Sequence, residues 1–139
     1  MSNQPLIFES IDMINVEPDE FQGFVYLMEF GDFLKVGSTK KPKARFRTLK
    51  SQARYGNQHI GRVALTCFHQ NYRENEYILH SKLNKRIPNT ELFDCTFEEG
   101  LNLLSTLKYK QLTKKEIEQC KRGNQAKMAA MINYFIPTI

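Results

Sequence analysis

Several things are scarce in this sequence, and each scarcity excludes a class of protein. There are three cysteines, Cys67, Cys95 and Cys120, odd in number and far apart. They fit neither a disulfide framework nor a zinc site, and they point to a reducing, cytoplasmic setting. No run approaches the ~20 apolar residues that a membrane span needs, so no membrane partner is expected. The N-terminal segment has no basic n-region and does not read as a secretory signal.

Charge of one sign is also missing, in two long blocks. Residues 1–32 hold seven acids (Glu9, Asp12, Glu17, Asp19, Glu20, Glu29, Asp32) and no Lys or Arg. Residues 33–73 hold ten bases (Lys35, Lys40, Lys41, Lys43, Arg45, Arg47, Lys50, Arg54, Arg62, Arg73) and no Asp or Glu. A long basic block with Phe and Tyr interleaved is the footprint of a polyanion binder; a solvated basic helix face is the plainer alternative. The chain is 139 residues long, 41% hydrophobic and 25% charged, which suits one domain with a single core.

Three regions follow. Residues 1–21, punctuated by Pro5 and Pro18, form an acidic extension, either disordered or laid over the basic surface. Residues 22–107 carry the main pattern, and 108–139 a C-terminal helical extension. Within the middle region, GFVYLMEF and FLKVG flank Gly31-Asp32, a type II′ hairpin signal over 23–37. That turn sets Phe30 opposite Phe33, Met28 opposite Lys35 and Tyr26 opposite Gly37. Tyr26 and Lys35 then lie diagonally on one face.

Residues 42–54 read as a helix entered at Pro42, with Phe46, Leu49 and Ala53 inward. Residues 60–68 read as a third strand and 72–86 as a second helix. A turn at Pro88-Asn89 leads to a short extended piece, ELFD. Thr96 with Glu99, and Thr113 with Glu116, are capping-box signals for helices running to about Leu107 and near Phe135. The expected class is α+β: a small, mostly antiparallel three-stranded sheet flanked by helices, plus a C-terminal helix. In that last helix Ala126, Met128, Ala129, Ala130, Met131, Ile132 and Phe135 give more apolar surface than a lone exposed helix should show. It packs on its own domain or, failing that, makes a homodimer or partner contact.

The second helix holds the oddest pattern. Tyr72, Glu76, Leu79, His80 and Leu83 fall on one face, where a carboxylate is costly without a cation, metal or donor to meet it. Either Glu76 pairs with an arginine and His80 is a boundary histidine, or Glu76 offers oxygens to Mg²⁺, which takes only one or two carboxylates. Tyr26, Lys35, Arg45, Glu76 and His80 together supply what phosphodiester hydrolysis needs. Those needs are a group for water, a cation for phosphoryl charge and a carboxylate for a metal.

The order Gly23-Phe24-Val25-Tyr26, Lys35-Val36-Gly37-Ser38-Thr39, Arg45, Glu76-x-x-Leu79-His80 and Glu91-Leu92-Phe93 resembles the GIY-YIG nuclease superfamily. It is most similar to small phage and bacterial domains with a KIG-type second motif. The resemblance covers about residues 22–107 and implies metal-dependent cleavage of DNA with Mg²⁺ or Mn²⁺. By position it implies Tyr26 as the catalytic tyrosine, Arg45 as the phosphate-contacting arginine and Glu76 as the metal ligand. His80 belongs to the branch's own signature. Lys35 stands where the name-giving second tyrosine would be, and Leu92 replaces a Trp. An ammonium near Tyr26 would favour its phenolate, or a neutral Lys35 would itself take the proton.

On this reading Lys40, Lys41, Lys43, Lys50 and Arg54 hold the nucleic-acid backbone. DNA is the expected partner and RNA the runner-up, because a basic block attracts both. The rival class is a non-catalytic nucleic-acid-binding or regulatory protein on the same scaffold.

Overall fold

In the computed structural model, residues 4–83 and 85–135 are described, with side chains described up to residue 129. The elements in chain order are β1 (Leu6–Phe8), a 3-10 turn (Ile11–Met13), β2 (Phe24–Phe30), β3 (Phe33–Thr39) and α1 (Pro42–Tyr55). Then come β4 (Ile60–Leu65), α2 (Tyr72–Lys82), β5 (Leu92–Phe93), α3 (Phe97–Leu104) and α4 (Lys114–Phe135). The class is α+β, with helices around one antiparallel sheet of order β1-β4-β2-β3-β5.

The expected three strands are the middle of this sheet. Two short edge strands extend it to five. β1 has three residues and β5 only two, too few to show an alternating pattern. The hairpin register is the one its turn requires: Phe30 pairs with Phe33, Met28 with Lys35 and Tyr26 with Gly37. Gly31 takes φ +61 at the first central position, as a II′ turn demands.

The sheet is buried on both faces. Val25, Leu27, Leu34, Val36 and Ala64 meet Leu79, Phe97 and Leu104 on the side of α2 and α3. Phe24, Tyr26, Met28, Val63 and Leu65 meet Phe46 and Leu49 of α1 and Ile11 of the acidic segment on the other. The acidic segment thus contributes a strand and a core residue and lies over α1.

Some boundaries differ from expectation. β4 stops at Leu65 because the Thr66 hydroxyl takes over as acceptor for the Val25 N–H at 2.9 Å. A single bridge from His69 to Gly23 then resumes the pairing. α2 ends at Lys82, not near residue 86, since Leu83 turns extended. Lys85 and Ile87 instead pair their backbones with Asp94 and Leu92. α3 ends at Leu104 rather than about Leu107. Both predicted N-caps form: Thr96 accepts from Glu99 N–H, and Thr113 and Glu116 complete a reciprocal capping box. In α4, Ala126, Met128 and Ala129 are exposed. The side chains of Ala130, Met131, Ile132 and Phe135 lie outside those described.

Candidate active site

The hairpin delivers Tyr26 into the sheet's α1 side. The ring is fully buried and meets Phe46 edge-on at 5.6 Å. It lies across Gly37, where an added Cβ would come within 2.4 Å of the phenolic oxygen. The glycine of the second motif is therefore there to let the tyrosine lie flat.

Arg45 projects from α1 toward the same spot, and its Nε donates to the Tyr26 hydroxyl oxygen at 3.1 Å. The other end of the guanidinium reaches Glu91, with Nη2 3.6 Å from Oε2. Lys35 Nζ approaches that same oxygen at 3.4 Å. One carboxylate oxygen thus sits between two cations, just ahead of β5.

Lys35 shares a face with Tyr26, as the register requires, but its partner is Glu91. The expected Lys35–Tyr26 pairing, and with it a phenolate favoured by the ammonium, is not what forms. Burial pushes the Tyr26 hydroxyl up to about 12, and the opposing pull of the Arg45 guanidinium does not overcome it.

Glu76 and His80 arrive from the other side of the sheet, on α2. They flank the buried stripe of Tyr72, Asn75, Leu79 and Leu83 rather than lying in its centre. Glu76 is met by hydroxyl and imidazole groups, not by an arginine. Ser38 of β3 donates a hydrogen bond to Glu76 Oε1, and His80 Nε2 lies 3.6 Å from Oε2. The same Nε2 is 2.9 Å from the Val36 carbonyl. A carbonyl can only accept, so Nε2 is the donor in that contact.

The site straddles strand β3. Tyr26, Lys35 and Arg45 come from one face, Glu76, His80 and Ser38 from the other. On β3, β5 pairs only with Leu34 and Lys35, so among the described residues the Gly37–Thr39 end has no ladder partner on that side. The charge of Glu76 is felt at both the Tyr26 hydroxyl and Arg45, each of which it perturbs. The two half-sites are therefore electrostatic neighbours around the strand's end.

The predicted backbone-holding cations divide. Lys40 and Lys41 follow directly from β3, beside Ser38. Lys43, Lys50 and Arg54 are exposed on α1 but do not border the site. At about 100° per residue, they and Arg47 fall on one flank of the helix. Arg45 is on the opposite flank, with the buried Pro42, Phe46, Leu49 and Ala53 between.

Two contributors were not singled out from the sequence as site residues. Ser38 is an ordinary strand serine, and only the packing of α2 on β3 places it at Glu76. Glu91 was visible only as the first residue of a motif, with no signal for its two cationic partners.

Among the described residues no cluster of three or more His, Cys, Asp or Glu could hold a metal. A lone carboxylate with a hydroxyl and an imidazole beside it is still compatible with Mg²⁺, which keeps several waters and takes one or two carboxylates.

A model of the T5orf172 domain matches residues 23–122. The match begins at Gly23, at the start of the hairpin, and takes in every site residue described above. No curated protein and no solved structure matches the chain.

Proposed function

The chain belongs to the T5orf172 domain family, and from that premise we propose that it is a metal-dependent endonuclease of the GIY-YIG type, cutting DNA phosphodiester bonds. The domain occurs in phage and bacterial nuclease-like proteins, which directs attention to nucleic acid. The observation that carries the chemistry is the chain of contacts Tyr26–Arg45–Glu91–Lys35 around one end of β3, with Glu76 and His80 across the strand.

Arg45 is placed to neutralise charge that gathers on the phosphoryl oxygens. Its Nε already holds Tyr26 and its Nη2 is paired with Glu91, so a phosphate would be met by Nη1 or would displace Glu91 from Nη2. Tyr26 accepts from Arg45 and keeps its own proton to donate. With burial holding that proton, Tyr26 orients the attacking water as a neutral phenol instead of serving as a ready-made base. Lys35 adds a second positive charge beside the phosphate. Glu76 is the residue that would hold the metal, with Ser38 fixing its carboxylate and His80 beside it. When bound there, Mg²⁺ or Mn²⁺ supplies Lewis-acid stabilisation of the phosphoryl and leaving oxygens. Lys40 and Lys41, next in the chain, hold the flanking backbone.

The test is nicking of supercoiled plasmid, with structured RNA alongside, in Mg²⁺, Mn²⁺ or chelator. Metal-dependent nicking of DNA is expected. Glu76→Ala should lower it by about a hundredfold or more while duplex binding survives. Equal nicking by the variant removes Glu76 from the metal role. Binding without turnover in either metal supports the non-catalytic reading, which the existing grip of Glu91 on both cations favours.

A further inference from the structure

The four exposed cations on the outer flank of α1 form a charged feature that the site does not use. Lys43, Arg47, Lys50 and Arg54 recur at spacings of four, three and four, a straight stripe about 16 Å long at 1.5 Å per residue. No acid of the 33–73 block interrupts it. The N-terminal arm already lies on this stripe. Glu17 pairs with Lys43 at 3.0 Å and Asp12 with Lys50. The arm and α1 thus run antiparallel, with an open cleft of about 450 Å³ between them that Arg47 and Arg54 also line.

Two kinds of force hold the arm, and they differ in strength. Ile11 is 8% exposed and is joined by Phe8, Ile14 and Val16 against the Phe24, Met28 and Phe46 side of the core. The ion pairs are different. All four side chains in them are more than half exposed, so water screens them and they contribute little to holding the arm. The arm is tethered by apolar contacts and by β1, while its carboxylates sit on the cations only loosely. The arm also lies before residue 23, outside the domain match.

We propose that this flank of α1 is a contact surface for the phosphate backbone of duplex DNA, separate from the site, and that the acidic arm occupies it in the free protein and is displaced by the duplex. The inference rests on the reading of the chain as a DNA-acting protein. Its energetic basis is charge density. Duplex DNA carries one negative charge per ~1.7 Å of axis, so about ten phosphates lie along the length of the stripe. The arm sets two of its carboxylates on it, Asp12 and Glu17. Displacement exchanges two screened contacts for contacts with a denser polyanion and releases its counterions.

The experiment measures binding of the full chain to a labelled duplex of about 20 bp across a salt series. The double substitution Asp12→Asn, Glu17→Gln is expected to tighten binding about tenfold at low salt. It should also steepen the log–log salt slope, because the parent alone must break the two arm ion pairs and that cost is screened away as salt rises. Lys43→Gln with Lys50→Gln should weaken binding and flatten the slope. Glu9→Gln with Glu118→Gln removes the same charge elsewhere and should do much less.

A double variant Asp12→Asn, Glu17→Gln within twofold of the parent overturns the proposal, as does equal tightening by the control pair. An RNA duplex responding as strongly as DNA overturns the assignment to DNA. The binding measurement needs no turnover. If the shift appears and metal-dependent nicking does not, the endonuclease reading fails alone. If nicking appears and the shift does not, this inference fails alone.

Discussion

Tyr26 and Gly37 are the tightest pairing in the site, and the pair links stability to chemistry. Gly37→Ala would put a methyl 2.4 Å from the Tyr26 oxygen. The ring is enclosed and has no room to retreat, so the variant should lose about 1–3 kcal/mol, read as a lower urea midpoint. It should also lose nicking beyond that, because Arg45 would no longer meet the hydroxyl. A second expectation concerns the proton. With the phenol raised to about 12, a difference titration of the parent against Tyr26→Phe should show no Tyr26 phenolate below about pH 11. The unfolded phenol ionises near its ordinary value of about 10. Stability from Tyr26 is therefore full below that pH and is lost as pH rises through the folded value. A Tyr26 signal appearing near pH 8 would mean that the tyrosine is a base after all.

At the scale of elements, the hairpin decides where the site can be. Its parity puts Tyr26 and Lys35 on one face, and a two-residue loop leaves no freedom to slip. Gly31 carries that constraint at φ +61. Gly31→Ala should cost about 1 kcal/mol, measured by chemical unfolding. A change indistinguishable from zero would show that strand pairing, not the turn, sets the register. α1 performs two tasks on two flanks, with Arg45 facing the site and the basic stripe facing the arm. The apolar stripe that makes it a helix also separates these roles. α2 shows the opposite relation, since Glu76 and His80 flank the stripe closely enough to be held by β3 through Ser38 and Val36.

For the molecule as a whole, the charge blocks fold into neighbours. The acid-only and base-only segments are adjacent in sequence, and the sheet brings β1 beside β4 so that the arm must cross α1. This internal neutralisation bears on salt. Duplex affinity should fall steeply from about 50 to 200 mM salt, by tenfold or more for several phosphate contacts. A flat response would remove the basic surface from recognition altogether. α4 adds a long helix whose described side chains are mostly exposed, tied just before its start, where Leu112 N–H donates to Gln22 at 2.8 Å.

Local chemistry alone determined the hairpin and its register, the cap residues of α3 and α4, the inward stripe of α1 and the residue types of the site. Turn geometry, capping and helical period act over a few residues, so a sequence can be read for them directly. Tertiary structure alone decided that Lys35 pairs with Glu91 and not with Tyr26, and that Ser38 holds Glu76 with His80 beside it. It also turned Lys43, Lys50 and Arg54 away from the site and seated the arm's acids on the basic flank. Those outcomes depend on which distant elements share a sheet edge and on how deeply a hydroxyl is buried. Both are set by packing between segments tens of residues apart.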